Sequence, residues 1–259
     1  MADILSKSGV NFPSELLPDL IDKVKGESVL QKLSGQEPIP FNGVTQFDFT
    51  FDKEVDIVAE NGDKGVGGVS LNPITIVPIK FEYGARFSEE MWYASEEARI
   101  DLLKNFNNGF AKKLAKGLDL AAIHGVNPRT KTASTVVGTN SFMTKGVAKV
   151  AVTDLTKIDK TINSAIEVVT GNEYENSGIA LSVSAASAMG SIQSTTGAAM
   201  YPDFMFGGYP KTLAGKNLAV STNISAVKTD TATPHTIVGD FAMFKWGISR
   251  DIDLRLIQY

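Results

Sequence analysis

FSEEMWYASEEARIDLLKNFNNGFAKKLAKGLDLAAIHG, residues 87–125, is the longest unbroken helical pattern in this chain. Its apolar side chains recur at steps of three and four, which places them along one face of a helix: Leu103, Phe106, Phe110, Leu114, Leu118 and Ala121. Ser88 or Ser95 can cap the start of the helix, and Gly125 supplies a stop signal. Because a helix of about 25 residues spans roughly 35–40 Å, the pattern predicts a long helix that runs along an extended domain.

Two glycines, Gly109 and Gly117, interrupt the helical pattern. Glycine in a helix interior costs about 1 kcal/mol relative to alanine, because it loses more backbone freedom on folding. Because the helix keeps both glycines in spite of this cost, we expect another group to pack closely over each of the two positions.

The stretch before the helix, 44–87, changes to a period of two, which is typical of β-strands. Phe47, Phe49 and Phe51 alternate there with polar residues. This alternation predicts a half-buried strand that continues in the same manner to Glu60.

A polar, glycine-dense segment follows this strand and carries Asn61-Gly62, which is a strong hairpin signal. The pattern then predicts a second strand over 74–83, and Pro73 and Pro78 confine it to an edge or an exposed ribbon. The two strands predict a long hairpin with a flexible tip. Because an isolated two-stranded hairpin is marginal in water, we expect it to lie on its own domain or on a neighbouring molecule.

The remaining segments predict an N-terminal arm and an inserted α/β unit. Residues 1–10 read as a loose arm, and 13–25 read as a short amphipathic helix. Between the long helix and Pro234 we predict a helix, a strand, a second helix and a second strand, in this order: 153–171 with Thr153 as cap, 179–183, 184–192 with Ser184 as cap, and 218–221. Two closing strands are predicted within 236–259.

Composition excludes several classes of protein. The chain has 259 residues, 43% of them hydrophobic and 21% charged, which is ordinary for a folded protein with a real core. The net charge of −4 does not favour a nucleic-acid-binding role. The absence of cysteine excludes disulfides and thiolate metal sites, and it is typical of synthesis in a reducing cytoplasm. We expect no membrane span, because no run of about 18 apolar residues occurs.

The motifs of enzymes and cofactor sites are not found. The glycine-rich segment 62–68 lacks the P-loop and dinucleotide-binding patterns, so it reads as a hairpin tip. His124 and His235 are far apart and have no second ligand at helical spacing. Ser182 and Ser184 follow a strand but lack the nucleophile-elbow pattern. We therefore predict no catalytic residue, no metal and no cofactor, and we do not expect an enzyme.

Four groups of residues occur in a fixed order along the chain: Ser88-Glu89-Glu90 ahead of the long helix, 119–125 at its end, 213–221, and 238–241 with Trp246-Gly247-Ile248. In this order the chain resembles the major capsid proteins of tailed bacteriophages, which have the Hong Kong 97-type fold. The resemblance covers nearly the whole chain. The chain departs from the family in two ways. No charged coiled-coil segment precedes residue 40, so we expect a fused scaffolding domain to be absent or removed. The family also has further strands after the point where this chain stops, so we expect the natural chain to continue beyond Tyr259.

The resemblance implies an α+β fold with a long spine helix, an extended β-hairpin loop, and peripheral and axial domains. It assigns the segments in chain order: 1–43 to an N-terminal arm and short helix, 44–87 to the extended loop, 88–125 to the spine helix of the peripheral domain, 126–234 to the axial domain, and 235–259 to closing strands of the peripheral domain.

The resemblance also implies a function. The chain would be a structural major capsid protein that assembles with itself, as pentamers and hexamers, into the icosahedral head shell around double-stranded DNA. Further partners would be scaffolding, portal and decoration proteins, while the DNA would be contacted weakly and non-specifically. The chain would be made in the bacterial cytoplasm and located in the virion capsid.

The extended loop holds the residues that we expect to mediate assembly: Phe47, Phe49, Phe51, Asn61, Gly62, Lys64, Gly67 and Gly68. Some relatives crosslink their subunits through a lysine on this loop and an asparagine elsewhere. Lys64 lies at the predicted tip, but no partner region can be matched, so we expect the subunits to stay at monomer mass.

Two alternatives stay open. A bacterial encapsulin shares the architecture but encloses a protein cargo, so the enclosed material separates it from a capsid. A soluble α/β enzyme or ligand-binding protein would stay monomeric and bind a ligand saturably.

Overall fold

The structure is a computed structural model that describes residues 28–37, 44–63, 65–76, 78–84, 96–144, 147–227, 233–244 and 246–247. Several predicted features lie outside these residues: the arm 1–10, the helix 13–25, the caps Ser88 and Ser95, Lys64, the side chains of Phe47 and Leu103, and the last strand. The described residues fall into two compact units. One, the hairpin unit, holds 44–63, 65–76 and 78–80 together with Glu37 and Gly247, and the other, the body, holds the rest.

Helices and strands are mixed along the chain. Those that precede the inserted segment are α1 (Val29–Leu33), β1 (Val44–Phe51), β2 (Val69–Ile76) and α2 (Glu96–Asp119), which continues into a π-helical turn, Leu120–His124. The later ones are a 3-10 turn, Leu155–Lys157, then α3 (Ile158–Gly171), β3 (Gly178–Leu181), α4 (Val183–Gly190), a second 3-10 turn, Pro202–Gly207, β4 (Thr212–Leu213), β5 (Lys216–Val220) and β6 (Thr236–Gly239). None of the described helices is long and apolar enough to cross a membrane.

The long predicted helix is confirmed as α2, which has 24 residues, and the π-helical turn after it. Gly125 ends it as predicted, with a left-handed φ of 68° and an N–H that donates to the carbonyl of Ala121. The predicted apolar stripe is only half-buried at Phe106 and Phe110, where Tyr83 packs against both rings. The most buried face of this part of the helix instead carries Asn107, Ala111 and Ala115.

The two helix glycines behave differently. A Cβ at Gly117 would lie 3.3 Å from Cε1 of Phe81 and 3.4 Å from Cγ of Pro128, so the predicted close packing is confirmed there. At Gly109 the described part of the chain places no atom within 4 Å, so the same prediction is wrong at that position.

The hairpin is confirmed, but both strands differ from the prediction. β1 ends at Phe51 rather than continuing to Glu60, and the second strand is displaced. β1 and β2 pair antiparallel from Val44 opposite Ile76 to Phe51 opposite Val69. The second strand therefore begins at Val69 rather than Ile74 and ends before Tyr83. Pro73 lies inside it, because a two-stranded ribbon leaves every second N–H pointing away from the partner strand.

The body contains a four-stranded sheet with the order β4-β5-β3-β6. β3 is parallel to β5 and antiparallel to β6. The segment 235–259 is predicted to form strands outside the inserted unit, whereas β6 forms one edge of this sheet. The strand predicted to run on from Thr236 ends at Gly239, because the carboxylate of Asp240 accepts a hydrogen bond from the N–H of Ala242 and turns the chain.

Alternate residues of the central strand β3 pack on opposite faces of the sheet. One face carries a buried cluster that includes α3, α4 and the second 3-10 turn: Ile158, Ile162, Ile179, Leu181, Ala185, Ala186, Met189, Phe204 and Leu218. The other face carries a cluster with α1 and the π-helical turn: Val29, Leu30, Ile123, Ala180, Ala219, Ile224 and Phe241. The body is therefore a sheet covered on both sides.

Two predicted helix caps are wrong by one or two residues. The side chain of Asp154, rather than Thr153, accepts from the N–H of Thr156 and begins the turn before α3. The side chain of Ser182, rather than Ser184, accepts from the N–H of Ala185 and caps α4. The second difference arises because pairing ends β3 at Leu181, which leaves Ser182 as the first residue free to cap.

Candidate assembly interface

The register of the hairpin separates an apolar face from a polar face. Phe49 lies opposite Leu71 and Phe51 opposite Val69, so these four residues share one face of the ribbon. On the other face the hydroxyls of Thr50 and Ser70 lie 2.7 Å apart. A two-stranded ribbon with such a division has one surface that favours contact with another apolar surface.

The apolar face of the ribbon is open to solvent in the single chain. Phe49 is 60% exposed and Phe51 is 75% exposed, and Val69 and Leu71 beside them are also exposed. The sequence predicted a half-buried strand, so these rings are more exposed than a strand on its own domain would leave them. No described part of the chain covers this face.

Asp52 closes the base of the loop that joins the two strands. Its N–H donates to the carbonyl of Gly68, and its carboxylate accepts from the N–H of Gly68 at 2.6 Å. A Cβ at Gly68 would lie 2.9 Å from the Asp52 carboxylate, and one at Gly67 would lie 3.3 Å from it. These two glycines are therefore explained by close approach of an aspartate, and the ammonium of Lys53 adds a bond to the carbonyl of Val66.

The tip of the loop is a tight turn over residues 59–62. The N–H of Gly62 donates to the carbonyl of Ala59 at 2.9 Å, and Asn61 has a φ of 65°. A positive φ at the third residue is the signature of a type II turn, which favours glycine or asparagine there. A Cβ at Gly62 would lie 2.7 Å from Cγ1 of Val58, so a larger residue would not fit. A turn at Asn61-Gly62 is confirmed, but it lies inside the long segment between β1 and β2 rather than joining the two strands directly.

The loop between the strands is acidic and also displays apolar side chains. Its carboxylates belong to Asp52, Glu54, Asp56, Glu60 and Asp63. Among them stand the exposed side chains of Val55, Ile57 and Val66. Such a loop offers both charge and apolar area to a neighbouring surface.

In the body, a buried carboxylate joins three segments that are distant in sequence. Asp119 is fully buried and accepts hydrogen bonds from the hydroxyl of Ser28, the N–H groups of Val29 and Leu30, and the side-chain amide of Asn223. Its charge lies at the N-terminus of α1, where backbone N–H groups favour an anion. Asp119 thus holds the segment before the hairpin against the end of α2.

Sequence reasoning did not assign this role to Asp119. A serine ahead of the short apolar run 29–33 was the available signal for a helix start. Nothing in the local pattern indicates that the cap of that helix would be completed from the end of α2.

His124 lies beside this cluster, and Nε2 of its ring is 2.9 Å from the carbonyl oxygen of Asn223. Burial lowers the pKa of His124 below its usual value, and the charge of Lys131 acts in the same direction. Hydrogen bonds to the backbone of Asn223 and Ile224 oppose the decrease of the pKa.

His235 lies apart from this cluster. Its Nδ1 is 3.3 Å from the hydroxyl of Ser184 and 3.5 Å from that of Ser182, so the structure brings together two serines and a histidine that sequence analysis treated separately. Ser182 is already engaged as the cap of α4, which gives the group a structural explanation. Within the described ranges, no three His, Cys, Asp or Glu side chains are placed to hold a metal ion.

Comparisons with known proteins agree on one family. A sequence model of the Phage capsid family matches residues 8–259. A solved chain from Mycobacterium phage Ogopogo is 28% identical with a TM-score of 0.72, over 87% of this chain and 77% of that one. A chain from Gordonia phage Cozz is 21% identical with a TM-score of 0.64, over 97% of this chain and 77% of that one, which shows a shared fold. No curated protein sequence matches this chain.

Proposed function

The chain belongs to the phage capsid family, and on this premise we propose that it forms an icosahedral head shell of Hong Kong 97 type around double-stranded DNA. Its family makes it a structural shell protein of the virion that assembles with copies of itself. The proposal adds the fold type, the symmetry, the contents and the segment that joins one copy to the next.

In this proposal the segments keep the roles that the resemblance implies. The hairpin is the extended loop within 44–87, and α2 belongs to the spine helix 88–125. The sheet with α3 and α4 forms the axial domain, which the resemblance assigns to 126–234 and which also takes in β6, because that strand is an edge of the sheet. Residues 1–43 are the N-terminal arm and short helix, and the closing strands of the peripheral domain follow β6. The mixed helix-and-sheet fold of the described residues supports this assignment.

The exposed apolar face of the hairpin is the observation that carries the proposal. Burying a large apolar side chain contributes about 1.5–3 kcal/mol relative to leaving it exposed. Phe49, Phe51 and Leu71 are more than half exposed in the single chain, so most of this contribution is left for a contact with another surface. In a shell built from copies of one chain, the apolar face of each hairpin can pack against the neighbouring subunit. One modest contact is then repeated around the whole assembly.

The experiment that tests the proposal separates the two faces of the ribbon. The chain is produced alone, and particles are counted by electron microscopy across a range of concentrations. The Phe49→Gln/Phe51→Gln double variant should abolish shells while the body still unfolds cooperatively at the wild-type denaturant concentration. Thr50→Ala, on the polar face of the same strand, is the matched control and should assemble.

Two results would count against the proposal. If the double variant formed shells at the wild-type concentration, the hairpin would not join the copies. If the wild-type chain stayed monomeric at every concentration and bound a small ligand saturably, it would not be a shell protein at all.

The contents of particles from infected cells test the rest. We expect nuclease-protected double-stranded DNA, together with portal, scaffolding or decoration proteins at some stage of assembly. A single enclosed enzyme without DNA would instead identify an encapsulin-like compartment. Denaturing mass spectrometry should find subunits at monomer mass, in keeping with the lack of a matched crosslinking partner for Lys64.

A further inference from the structure

The second 3-10 turn, Pro202–Gly207, packs closely against the body. Phe204 is buried in the cluster beneath α3 and α4. A Cβ at Gly190 would lie 2.7 Å from the carbonyl oxygen of Phe204, and one at Gly208 would lie 2.6 Å from that of Asp203. The backbone of this turn therefore lies close to the C-terminal end of α4 and folds tightly on itself at Gly208.

Phe206, within this turn, has an unfavourable backbone conformation. It has φ 54° and ψ 27°, which is the left-handed region, and its side chain is fully exposed at 102%. For a bulky residue this conformation is an outlier, because Cβ crowds the neighbouring carbonyl. Glycine would avoid both the strain and the exposure, and the chain already has glycine at the next two positions.

No described residue covers the ring of Phe206. Three more apolar side chains in the same segment, 200–209, are also exposed: Met200, Met205 and Tyr209. Contiguous exposed apolar groups mark interaction sites, and aromatic residues and methionine are enriched in the cores of interfaces. A closely packed backbone also lowers the ordering cost of binding, because the main chain that carries Phe206 is already folded against the body.

We infer that Phe206 is a preformed contact that inserts into an apolar recess on a second copy of this chain. The inference rests on the proposed function, because the family assembles with copies of itself. Phe206 belongs to the body and is separate from the hairpin face, so this is a second contact between copies. In a ring, one surface meets a different surface on the next copy, so the recess lies elsewhere on the body.

Phe206→Gly separates a structural role from an assembly role. The variant removes the strain as well as the ring, so the isolated subunit should unfold at an equal or higher denaturant concentration. The concentration needed for assembly should rise by about tenfold or more, as for the loss of an interface hot spot. Phe206→Tyr, which keeps the ring, should assemble within about threefold of wild type, and Met243→Ala serves as an exposed apolar control outside the loop.

Photocrosslinking identifies the occupant directly. Benzoylphenylalanine at position 206 of assembled particles should yield crosslinked dimers whose second peptide maps to another copy of this chain. Crosslinks to a different protein, or none in intact particles, would overturn the inference.

The two proposals fail in different ways. If Phe206→Gly assembled as readily as wild type, this inference alone would be wrong. If the wild-type chain formed no particles, the proposed function would fail and this inference with it.

Discussion

The hydroxyl of Ser28 donates a 2.6 Å hydrogen bond to the carboxylate of Asp119, although 91 positions of sequence separate the two residues. Asn223 donates to the same carboxylate from a third segment. One buried acid therefore fixes where the N-terminal segment enters the body and where α2 ends.

Asp119→Asn should destabilise the body by about 2–4 kcal/mol. The amide keeps the shape but loses one acceptor oxygen, and it turns a donor toward groups that are themselves donors. Urea unfolding of the dissociated subunit measures the change. Asp101→Asn, at an exposed position of the same helix, should stay within about 0.5 kcal/mol of wild type; equal effects from both variants would contradict the role of Asp119.

His124 should make the body less stable in mild acid. Burial lowers the pKa of His124 in the folded chain, so the unfolded chain takes up the proton first as the pH falls below about 6.5. The free energy of unfolding is therefore undiminished above this pH and decreases as the pH falls toward the lowered pKa. Urea midpoints at pH 7.5 and 5.5 measure the decrease.

The matched variants for this pH dependence are His124→Gln and His235→Gln. The first should lose the part of the pH dependence that comes from this site. The second retains His124 and should keep that part. A pH dependence that persists unchanged in His124→Gln would assign the effect to other groups.

The two glycines of α2 should respond oppositely to substitution. Gly109→Ala should stabilise the body by about 0.5–1 kcal/mol, because the position is open and alanine favours the helix. Gly117→Ala should gain nothing, because its Cβ would press on Phe81 and Pro128. Gly117→Leu should destabilise by about 1–3 kcal/mol. Thermal unfolding of the subunits checks the order of the three variants, and a stabilising Gly117→Leu would contradict the packing.

Shortening the hairpin should separate folding from assembly. Deleting Glu60 through Gly68 should leave a folded subunit that forms no shells. A cleaner variant replaces 53–67 with Asn-Gly, because this keeps the bonds between Asp52 and Gly68. The body should unfold as in wild type, since it is a separate compact unit. Glu54→Gln, at full loop length, should still give shells by sedimentation, and particles from the shortened chain would exclude a role for the tip.

Local features were the ones that sequence reasoning predicted well. The periodicity of α2, its stop at Gly125 and the Asn61-Gly62 turn depend on residues within one or two turns of each other. The caps at Ser182 and Asp154 were missed by one or two positions. Several neighbouring side chains could serve as caps, and strand pairing in the sheet decided which one did.

The sequence by itself determined the long helix, the period-two ribbon and the family resemblance, because these follow from backbone geometry and from the order of residues. Only the tertiary structure decided that Asp119 completes the cap of α1, that β6 joins the sheet beside β3, and that Phe206 stands strained and uncovered. These outcomes depend on which distant segments pack together, and a carboxylate or an aromatic ring carries no local mark of the partner it will meet.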